Sequence, residues 1–148
     1  EVVSHSGEFF QYQDVIHSPA PSQKVPVWVG GASKAAFQRA ANNDGWLGVP
    51  SKNKRLAEIV NILFDLRKAN GKYAEPFDVV LSPMELLTKD FIDSLDPAGT
   101  YHSSVLPWTP SPWGRAFWVE EGEDHRELAV KIRAMERFKT MMQQVGVW

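Results

Sequence analysis

The pattern of hydrophobic positions predicts four strand–helix units in succession. Short apolar runs, rich in β-branched residues and bounded by turn formers, are typical of buried strands. Such runs occur at residues 25–29, 45–49, 77–81 and 101–106. Before them, residues 1–24 mix aromatic residues with Ser, Gly and Pro, which predicts an irregular lead-in with at most one short hairpin.

A helix is predicted after each of these strands. Ser33 can cap the first helix, and the second runs from just after Pro50 to Gly71. The third is predicted to begin at Ser82-Pro83-Met84-Glu85, which combines a capping serine, a proline at the first helical position and a glutamate that reaches back. The last, over residues 126–145, carries one apolar stripe: Leu128, Ile132, Met135, Phe138, Met142 and Val145.

Strictly alternating strands and helices predict an α/β fold with a parallel sheet and right-handed crossovers. We therefore expect one domain over residues 1–148, with four βα units over residues 25–148. Such units form either an open doubly wound sheet or half of a TIM (β/α)8 barrel. A doubly wound nucleotide-binding domain should carry an acidic ribose-binding residue after its second strand, where Val49-Pro50-Ser51 provides none.

The chain opens at Glu1 without an initiator methionine, so we expect a fragment of a longer protein. The two outermost strands of a partial barrel would have unpaired edges. A fragment of this kind should be aggregation-prone or dimeric in isolation.

Composition narrows the functional classes. The 148 residues are 43% hydrophobic and 23% charged, with a net charge of -2 and basic residues scattered along the chain, so no basic stripe predicts nucleic-acid binding. No apolar run reaches the roughly 18–20 residues that a membrane span needs, and no basic-then-apolar leader opens the chain. With no cysteine, thiolate chemistry is excluded. We expect a cytoplasmic protein.

The stretch from Pro107 to Asp124 has too many prolines for regular structure and too many aromatic residues for a solvated loop. We expect it to cover apolar surface with some of its large rings, which are Trp108, Trp113, Phe117 and Trp118.

The turn Gly30-Gly31-Ala32-Ser33 has the features of a phosphate cradle. Glycines let the backbone approach an anion, and the amino end of the following helix offers free amides and a favourable partial charge. The competing interpretation is a tight strand-to-helix turn with an ordinary serine cap, and a pair of glycines does not distinguish the two.

The remaining polar residues give weaker signals. The four histidines, His5, His17, His102 and His125, have no paired spacing with carboxylates, so we expect no metal site. No Ser/His/Asp set can be assembled, and His102 stands out only because it lies in the final predicted strand. Asp44 is expected to serve its turn, and the acidic run of residues 120–124 is expected to be solvated.

Several segments resemble, in register, the C-terminal half of luciferase-like monooxygenases and their deazaflavin-dependent relatives. They are Ser6-Gly7-Glu8-Phe9-Phe10, Pro19-Ala20-Pro21, the stretch from Val25 to Ser33, Arg39-Ala40-Ala41 and Asn43-Asp44-Gly45-Trp46. The resemblance covers about residues 6–81, and residues 99–108 and the last helix resemble the family's final strand and helix.

This resemblance implies a (β/α) barrel that binds its cofactor phosphate at Gly30, Gly31, Ala32 and Ser33, with the cofactor ring over the barrel mouth. It further implies that Trp46 to Lys52 approach the cofactor or substrate pocket, to which Trp108 could contribute. For Trp46 and Trp108, core packing is at least as good an interpretation. For Lys52, a solvated position near a helix start is the better one.

The residues of these motifs favour a deazaflavin (coenzyme F-420) as the cofactor, with FMN as the alternative. A deazaflavin implies hydride transfer, whereas FMN permits oxygenation of a small organic substrate. The resemblance also implies an N-terminal half-barrel as partner, and we expect a homodimer. A different hypothesis is a non-catalytic half-barrel that acts as a binding or assembly module.

Overall fold

The computed structural model describes residues 2–16, 18–109 and 118–146. Trp113 and Phe117, for which burial was predicted, lie outside these residues. The elements are β1 (Val2–Ser6), β2 (Gln11–Ile16), β3 (Trp28–Gly30), α1 (Lys34–Ala41), β4 (Gly45–Leu47), α2 (Asn53–Ala69), β5 (Asp78–Leu81), α3 (Lys89–Asp93), β6 (Thr100–Ser103) and α4 (Leu128–Gln144).

The four predicted strands form one sheet in the order β3-β4-β5-β6, and every neighbouring pair is parallel. The predicted parallel α/β arrangement is confirmed. Strand order follows chain order without a reversal across this sheet, as it does around a (β/α) barrel and as it does not in a doubly wound sheet with a switch point.

Strand alternation gives the sheet two different faces. On the face that packs against the helices, hereafter the helix face, four residues lie in register: Val29, Trp46, Val79 and Tyr101. On the opposite face, hereafter the open face, two rows lie in register: Trp28, Gly45, Asp78 and Thr100, then Gly30, Leu47, Val80 and His102. Trp28 and Leu47 on the open face remain 43% and 47% exposed.

The core lies between the helix face and the helices. Its fully buried apolar residues include Trp46, Leu56, Ile59, Val60, Leu63 and Val79. Burying each such side chain is worth about 1.5–3 kcal/mol. The small residues Ala36 and Ala40 are buried on α1, so this short helix can approach the sheet closely, as its sequence predicted.

The strand β3, which was predicted to begin at residue 25, begins at Trp28. Proline has no amide hydrogen, so Pro26 cannot donate to a ladder. The next amide, of Val27, is bound by the Asp44 carboxylate at 2.9 Å rather than by a neighbouring strand. Regular pairing therefore starts at Trp28.

The prediction that the third helix begins at Ser82-Pro83 is wrong. The helix α3 begins at Lys89, and Thr88 caps it. Pro83 instead forms a parallel bridge with Ser51. Glu85 does not reach back to its own segment: its carboxylate accepts a hydrogen bond of 2.7 Å from the Asn53 amide, at the start of α2.

The predicted stripe of the last helix is divided in the structure. Val130, Ala134 and Met142 are buried, and Phe138, Met141 and Val145 pack against the core. In contrast, Leu128, Ile132 and Met135 are exposed. In its first half the helix therefore buries Val130 and Ala134 in place of the predicted Leu128 and Ile132.

The amino-terminal segment contains one short hairpin, as its sequence allowed. β1 and β2 pair antiparallel, with Val3 opposite Val15 and His5 opposite Tyr12. The side chains of both strands are exposed. In the described part of the chain, no helix is long and apolar enough to cross a membrane.

Candidate functional site

The turn between β3 and α1 requires glycine at one of its two glycine positions. Gly31 has a φ of 110°, a conformation that other residues rarely adopt, and a Cβ there would lie 3.2 Å from the Cβ of Ala36. At Gly30, an added Cβ would meet only the Leu47 carbonyl oxygen, at 3.9 Å. The close approach of backbone to helix is therefore set by Gly31.

Ser33 caps α1, as predicted. Its hydroxyl oxygen accepts a hydrogen bond of 3.2 Å from the Ala36 amide, and its carbonyl oxygen accepts one of 3.0 Å from Phe37. Within the described ranges, no acceptor is bound to the amides of Lys34 and Ala35, and both residues are exposed. The amino end of α1 thus presents two free donors together with its partial positive charge.

Trp46 supports this turn from behind. Its side chain is fully buried on the helix face, with its indole Nε1 donating a hydrogen bond of 2.8 Å to the Gly31 carbonyl oxygen. Its ring also meets Phe37 edge-on at 6.2 Å. The structure therefore places Trp46 in the core and not on a pocket wall, because its register puts it opposite the open face.

The next two helices differ from α1 at their amino ends. At α2 the first amide, of Asn53, is already bound by the Glu85 carboxylate, and the Asn53 side-chain amide donates to the Leu86 carbonyl oxygen at 2.7 Å. At α3 the helix is only five residues long and carries Asp90 in its first turn. Of the described helices that follow β3, β4 and β5, α1 is the one with neither a bound carboxylate nor an acidic first-turn residue at its amino end.

Lys52 lies at the N-cap of α2, and its side chain is exposed. The residue follows the carboxyl end of β4, the same edge of the sheet as the β3–α1 turn. Among the described residues, no hydrogen bond or ion pair engages its ammonium group. Lys52 can therefore offer a positive charge at this edge without giving up a structural contact.

Two serines at the same edge were not identified as site residues from the sequence, which indicated only a helix cap for Ser82. The hydroxyl oxygens of Ser82 and Ser104 lie 2.7 Å apart, with either able to donate. The two hydroxyls have one proton each for three possible contacts, because Ser82 is also within reach of the Gly48 carbonyl oxygen at 3.2 Å and Ser104 of that of Leu81 at 3.3 Å. Each serine is the residue directly after a strand, β5 for Ser82 and β6 for Ser104, and that position was the available signal.

Trp108 does not lie beside the β3–α1 turn among the described contacts but lines a groove together with residues of α4. It is half-buried and lines a groove of about 520 Å³ with Leu106, Ile132 and Met135. Trp118 is buried and meets Phe138 edge-on at 5.0 Å. The prediction that some rings of this stretch cover apolar surface is thus confirmed for Trp118.

Asp44 was expected to serve its own turn, but the partners of its carboxylate lie in the segment before β3. Its carboxylate binds the Lys24 ammonium at 2.7 Å and the Val27 amide at 2.9 Å. The Lys24 hydrogen bond, followed by that of the Val27 amide, lowers the pKa of Asp44. His102 lies on the open face, with its Nε2 3.1 Å from the Asp78 carboxylate. Over the described ranges, no group of three histidine or acidic side chains is arranged to hold a metal ion.

Comparison with known proteins gives one family. The family model described as luciferase-like monooxygenase matches residues 1–93. Similar relatives include the uncharacterized proteins Mb0965c of Mycobacterium bovis and Rv0940c of Mycobacterium tuberculosis, each 30% identical over 135 residues. The match covers 89% of this chain and 43% of each relative, so the chain spans less than half of their length.

Proposed function

The chain belongs to the luciferase-like monooxygenase family, and on that premise we propose that it is the carboxyl-terminal part of an oxidoreductase that holds a flavin-type cofactor. The proposal includes a barrel completed by an N-terminal half, because the chain spans 43% of its relatives' length and its four parallel strands follow one another in order. We also propose a small organic substrate and a homodimer as the functional unit.

The observation that carries the proposal is the open amino end of α1 behind Gly31. A cofactor phosphate needs a backbone that approaches closely and donors that are not already used. Gly31 meets the first need because a Cβ there would fill the gap to Ala36. The free amides of Lys34 and Ala35 meet the second.

In this arrangement Gly30, Gly31, Ala32 and Ser33 form the phosphate turn, and main-chain donors hold the anion. The Ser33 hydroxyl can donate to the phosphate while its oxygen still accepts from Ala36. Lys52 lies at the same edge of the sheet and supplies a cation for the substrate or for the cofactor's charged tail. The hydroxyls of Ser82 and Ser104 add a polar rim.

The bound cofactor supplies the redox chemistry, which is hydride transfer with a deazaflavin and can include oxygen activation with FMN. We favour the deazaflavin, on the sequence motifs described above. The residues of this chain then bind, orient and shield the cofactor, and none is assigned a direct role in proton or hydride transfer.

The test is to express the complete reading frame and to titrate FMN and deazaflavin separately into the parent protein and three variants. Gly31→Val should abolish measurable binding, because the side chain strains the turn and clashes with Ala36, which displaces the turn from the amino end of α1. Ser33→Ala should weaken binding by about 0.5–3 kcal/mol, depending on how strongly charge assists the lost hydrogen bond.

Gly71→Val is the matched control, because Gly71 also has a positive φ, of 70°, but lies at the carboxyl end of α2 with nothing near its missing Cβ. It should lose stability and keep cofactor affinity. A folded Gly31→Val protein that binds both cofactors like the parent contradicts the phosphate turn. A folded parent that binds neither cofactor supports a non-catalytic assembly module instead.

A further inference from the structure

Helix α4 carries a second apolar row that the described residues leave exposed. Leu128, Ile132 and Met135 are four and three residues apart, so they share one side of the helix and form what we call the outer row. Their exposed fractions are 73%, 48% and 52%. The helix buries a different row, which includes Val130 and Ala134. Since one apolar row is enough to attach a helix to its own core, the outer row indicates a further contact.

Two residues of the outer row, Ile132 and Met135, form one wall of a groove. The other wall is the segment that follows β6, with the exposed Leu106 and the half-buried Trp108. The groove has a volume of about 520 Å³, and its lining is mainly apolar. Large apolar side chains that are open to water on both walls are typical of an interaction surface.

The groove lies next to the open edge of the sheet. β6 is outermost in the order β3-β4-β5-β6, and among the described residues it pairs only with β5. An edge strand presents unpaired amide and carbonyl groups, which another strand can take up. Leu106 and Trp108 follow the carboxyl end of β6 closely, so a polypeptide that continues the sheet beyond this strand reaches the wall that they form.

The proposed barrel supplies a polypeptide that can continue the sheet. The match to each relative covers 43% of that relative, so more than half of its length lies outside the match. In the proposed function, this remainder contains an N-terminal half-barrel. A closed (β/α) barrel pairs its last strand with its first, and it therefore places the helix that follows the first strand beside the last helix. Beside α4, that element is the first helix of the N-terminal half-barrel.

A second copy of this chain fits the groove less well. A stable dimer buries about 800 Å² on each partner, and the few half-exposed side chains of this groove supply only part of that area. Separate chains also lose about 4–15 kcal/mol of translational and rotational freedom on association, which a covalently connected half does not. The small apolar groove therefore favours a segment of the same polypeptide.

We propose that the outer row of α4 and the groove beside it are the surface on which the first helix of the N-terminal half-barrel docks. This assignment rests on the proposed function, because it requires the completed barrel. The docked helix covers the outer row and closes the barrel at β6, the strand farthest from β3 and its phosphate turn. The proposed homodimer then uses a different surface of the protein.

Photo-crosslinking in the complete protein tests which segment covers the groove. The photoreactive residue p-benzoylphenylalanine replaces Met135 in one variant and Ile62, an exposed residue of α2, in the control. After irradiation, mass spectrometry should show position 135 joined to a peptide from before residue 1, within a single molecule, and position 62 not joined to that half. A cross-link between two copies, a cross-link within residues 1–148, no cross-link, or an equal yield at position 62 overturns the proposal.

A pair of lysine substitutions in the complete protein tests the stability of the contact. On the described contacts alone, Ile62→Lys should be the more harmful change, because Ile62 is 38% exposed and Ile132 is 48% exposed. The proposal reverses this order, since a docked helix buries Ile132 further. The folding equilibrium constant of Ile132→Lys should be about tenfold or more below that of Ile62→Lys. Equal constants, or a lower constant for Ile62→Lys, overturn the proposal.

Titration of FMN and deazaflavin into the Met135 photoreactive variant separates this proposal from the cofactor assignment. A protein that forms the expected cross-link but binds neither cofactor contradicts the cofactor assignment alone. A protein that binds a cofactor but forms no cross-link from position 135 to the N-terminal half contradicts the docking surface alone.

Discussion

The indole Nε1 of Trp46 donates a hydrogen bond of 2.8 Å to the Gly31 carbonyl oxygen. One partner is a core residue with no exposed surface, and the other sets the backbone of the proposed phosphate turn. The hydrogen bond therefore fixes the exposed β3–α1 turn to a side chain of the rigid core. This connection makes the turn a preorganised site and not only a link between strand and helix.

Replacing Trp46 with Phe should destabilise the protein by about 2 kcal/mol, because the partly buried Gly31 carbonyl loses its donor and the smaller ring leaves a gap in the core. Cofactor affinity should also fall, since the Gly31 carbonyl is no longer held. Urea denaturation and cofactor titration of the complete protein measure the two effects. Phe37→Leu, which trims the same cluster without touching the hydrogen bond, should lose stability alone, and an equal loss of affinity in both variants would contradict the role given to Trp46.

Arg67 is the buried cation of the described core, with a side chain that is fully inaccessible. Its guanidinium donates to carbonyl oxygens of two loops, including that of Lys72 at 2.6 Å and that of Glu75 at 2.8 Å. It also lies over the Phe77 ring at 4.3 Å. Desolvation by burial lowers the pKa of Arg67. The nearby negative charge of Glu75 acts in the opposite direction but has a smaller effect on this pKa.

Arg67→Met should cost about 3 kcal/mol of stability, because several buried carbonyl oxygens lose a charged donor together. Arg55→Met is the matched control, since Arg55 is half-exposed and, among the described residues, forms an ion pair only with Glu58 one turn away. That variant should stay within about 0.5 kcal/mol of the parent. Chemical denaturation of both variants checks the difference, and equal stabilities would show that the Arg67 hydrogen bonds contribute little.

Arg67 also illustrates what the sequence did and did not reveal. The position continues the apolar row of α2, four residues after Leu63, so periodicity marks it as inward-facing. Arginine is rarely buried without a carboxylate partner, and its acceptors here are loop carbonyls whose positions depend on the tertiary fold. Periodicity could identify the direction of the side chain, but no local pattern could identify its partners.

The parallel sheet and the Ser33 cap were predictable because both depend on local patterns, namely alternating periods and a serine before a small-residue helix. The start of the third helix was not. Ser82-Pro83-Met84-Glu85 satisfies every local requirement of a capping box, yet Glu85 binds the Asn53 amide of another helix. Glu85 and Asn53 are 32 positions apart, so no local rule predicts their hydrogen bond. This tertiary contact outweighs the local preference for a helix start at Ser82.

Glu85→Ala should therefore destabilise α2 rather than α3, by about 1 kcal/mol, since the Asn53 amide loses its acceptor. Hydrogen exchange should show weaker protection at the amino end of α2 and unchanged protection around Phe91 in α3. Glu58→Ala removes an exposed carboxylate from the same helix and should have little effect. A loss of protection confined to α3 would mean that Glu85 acts on its own segment after all.

The last prediction concerns pH and the attachment of residues 118–124 to α4. Glu123 accepts hydrogen bonds from Arg137 at 2.7 Å and Arg133 at 2.8 Å, and Arg137 also donates to the Trp118 carbonyl oxygen at 2.9 Å. The Arg137 hydrogen bond, followed by that of the Glu120 amide, lowers the pKa of Glu123 from 4.5 to about 2. The carboxylate is thus favoured in the folded protein.

A carboxyl group with a lowered folded-state pKa stabilises the protein above its unfolded pKa, and the contribution is lost as the pH falls toward the folded value. The stabilisation by Glu123 should therefore be complete above about pH 4.5 and should disappear between there and about pH 2. Thermal melts of the parent and Glu123→Gln across this range should converge at the acidic end, whereas Glu121→Gln, at an exposed neighbour, should follow the parent throughout. A constant difference between the parent and Glu123→Gln at every pH would show that Glu123 contributes through packing and not through its charge.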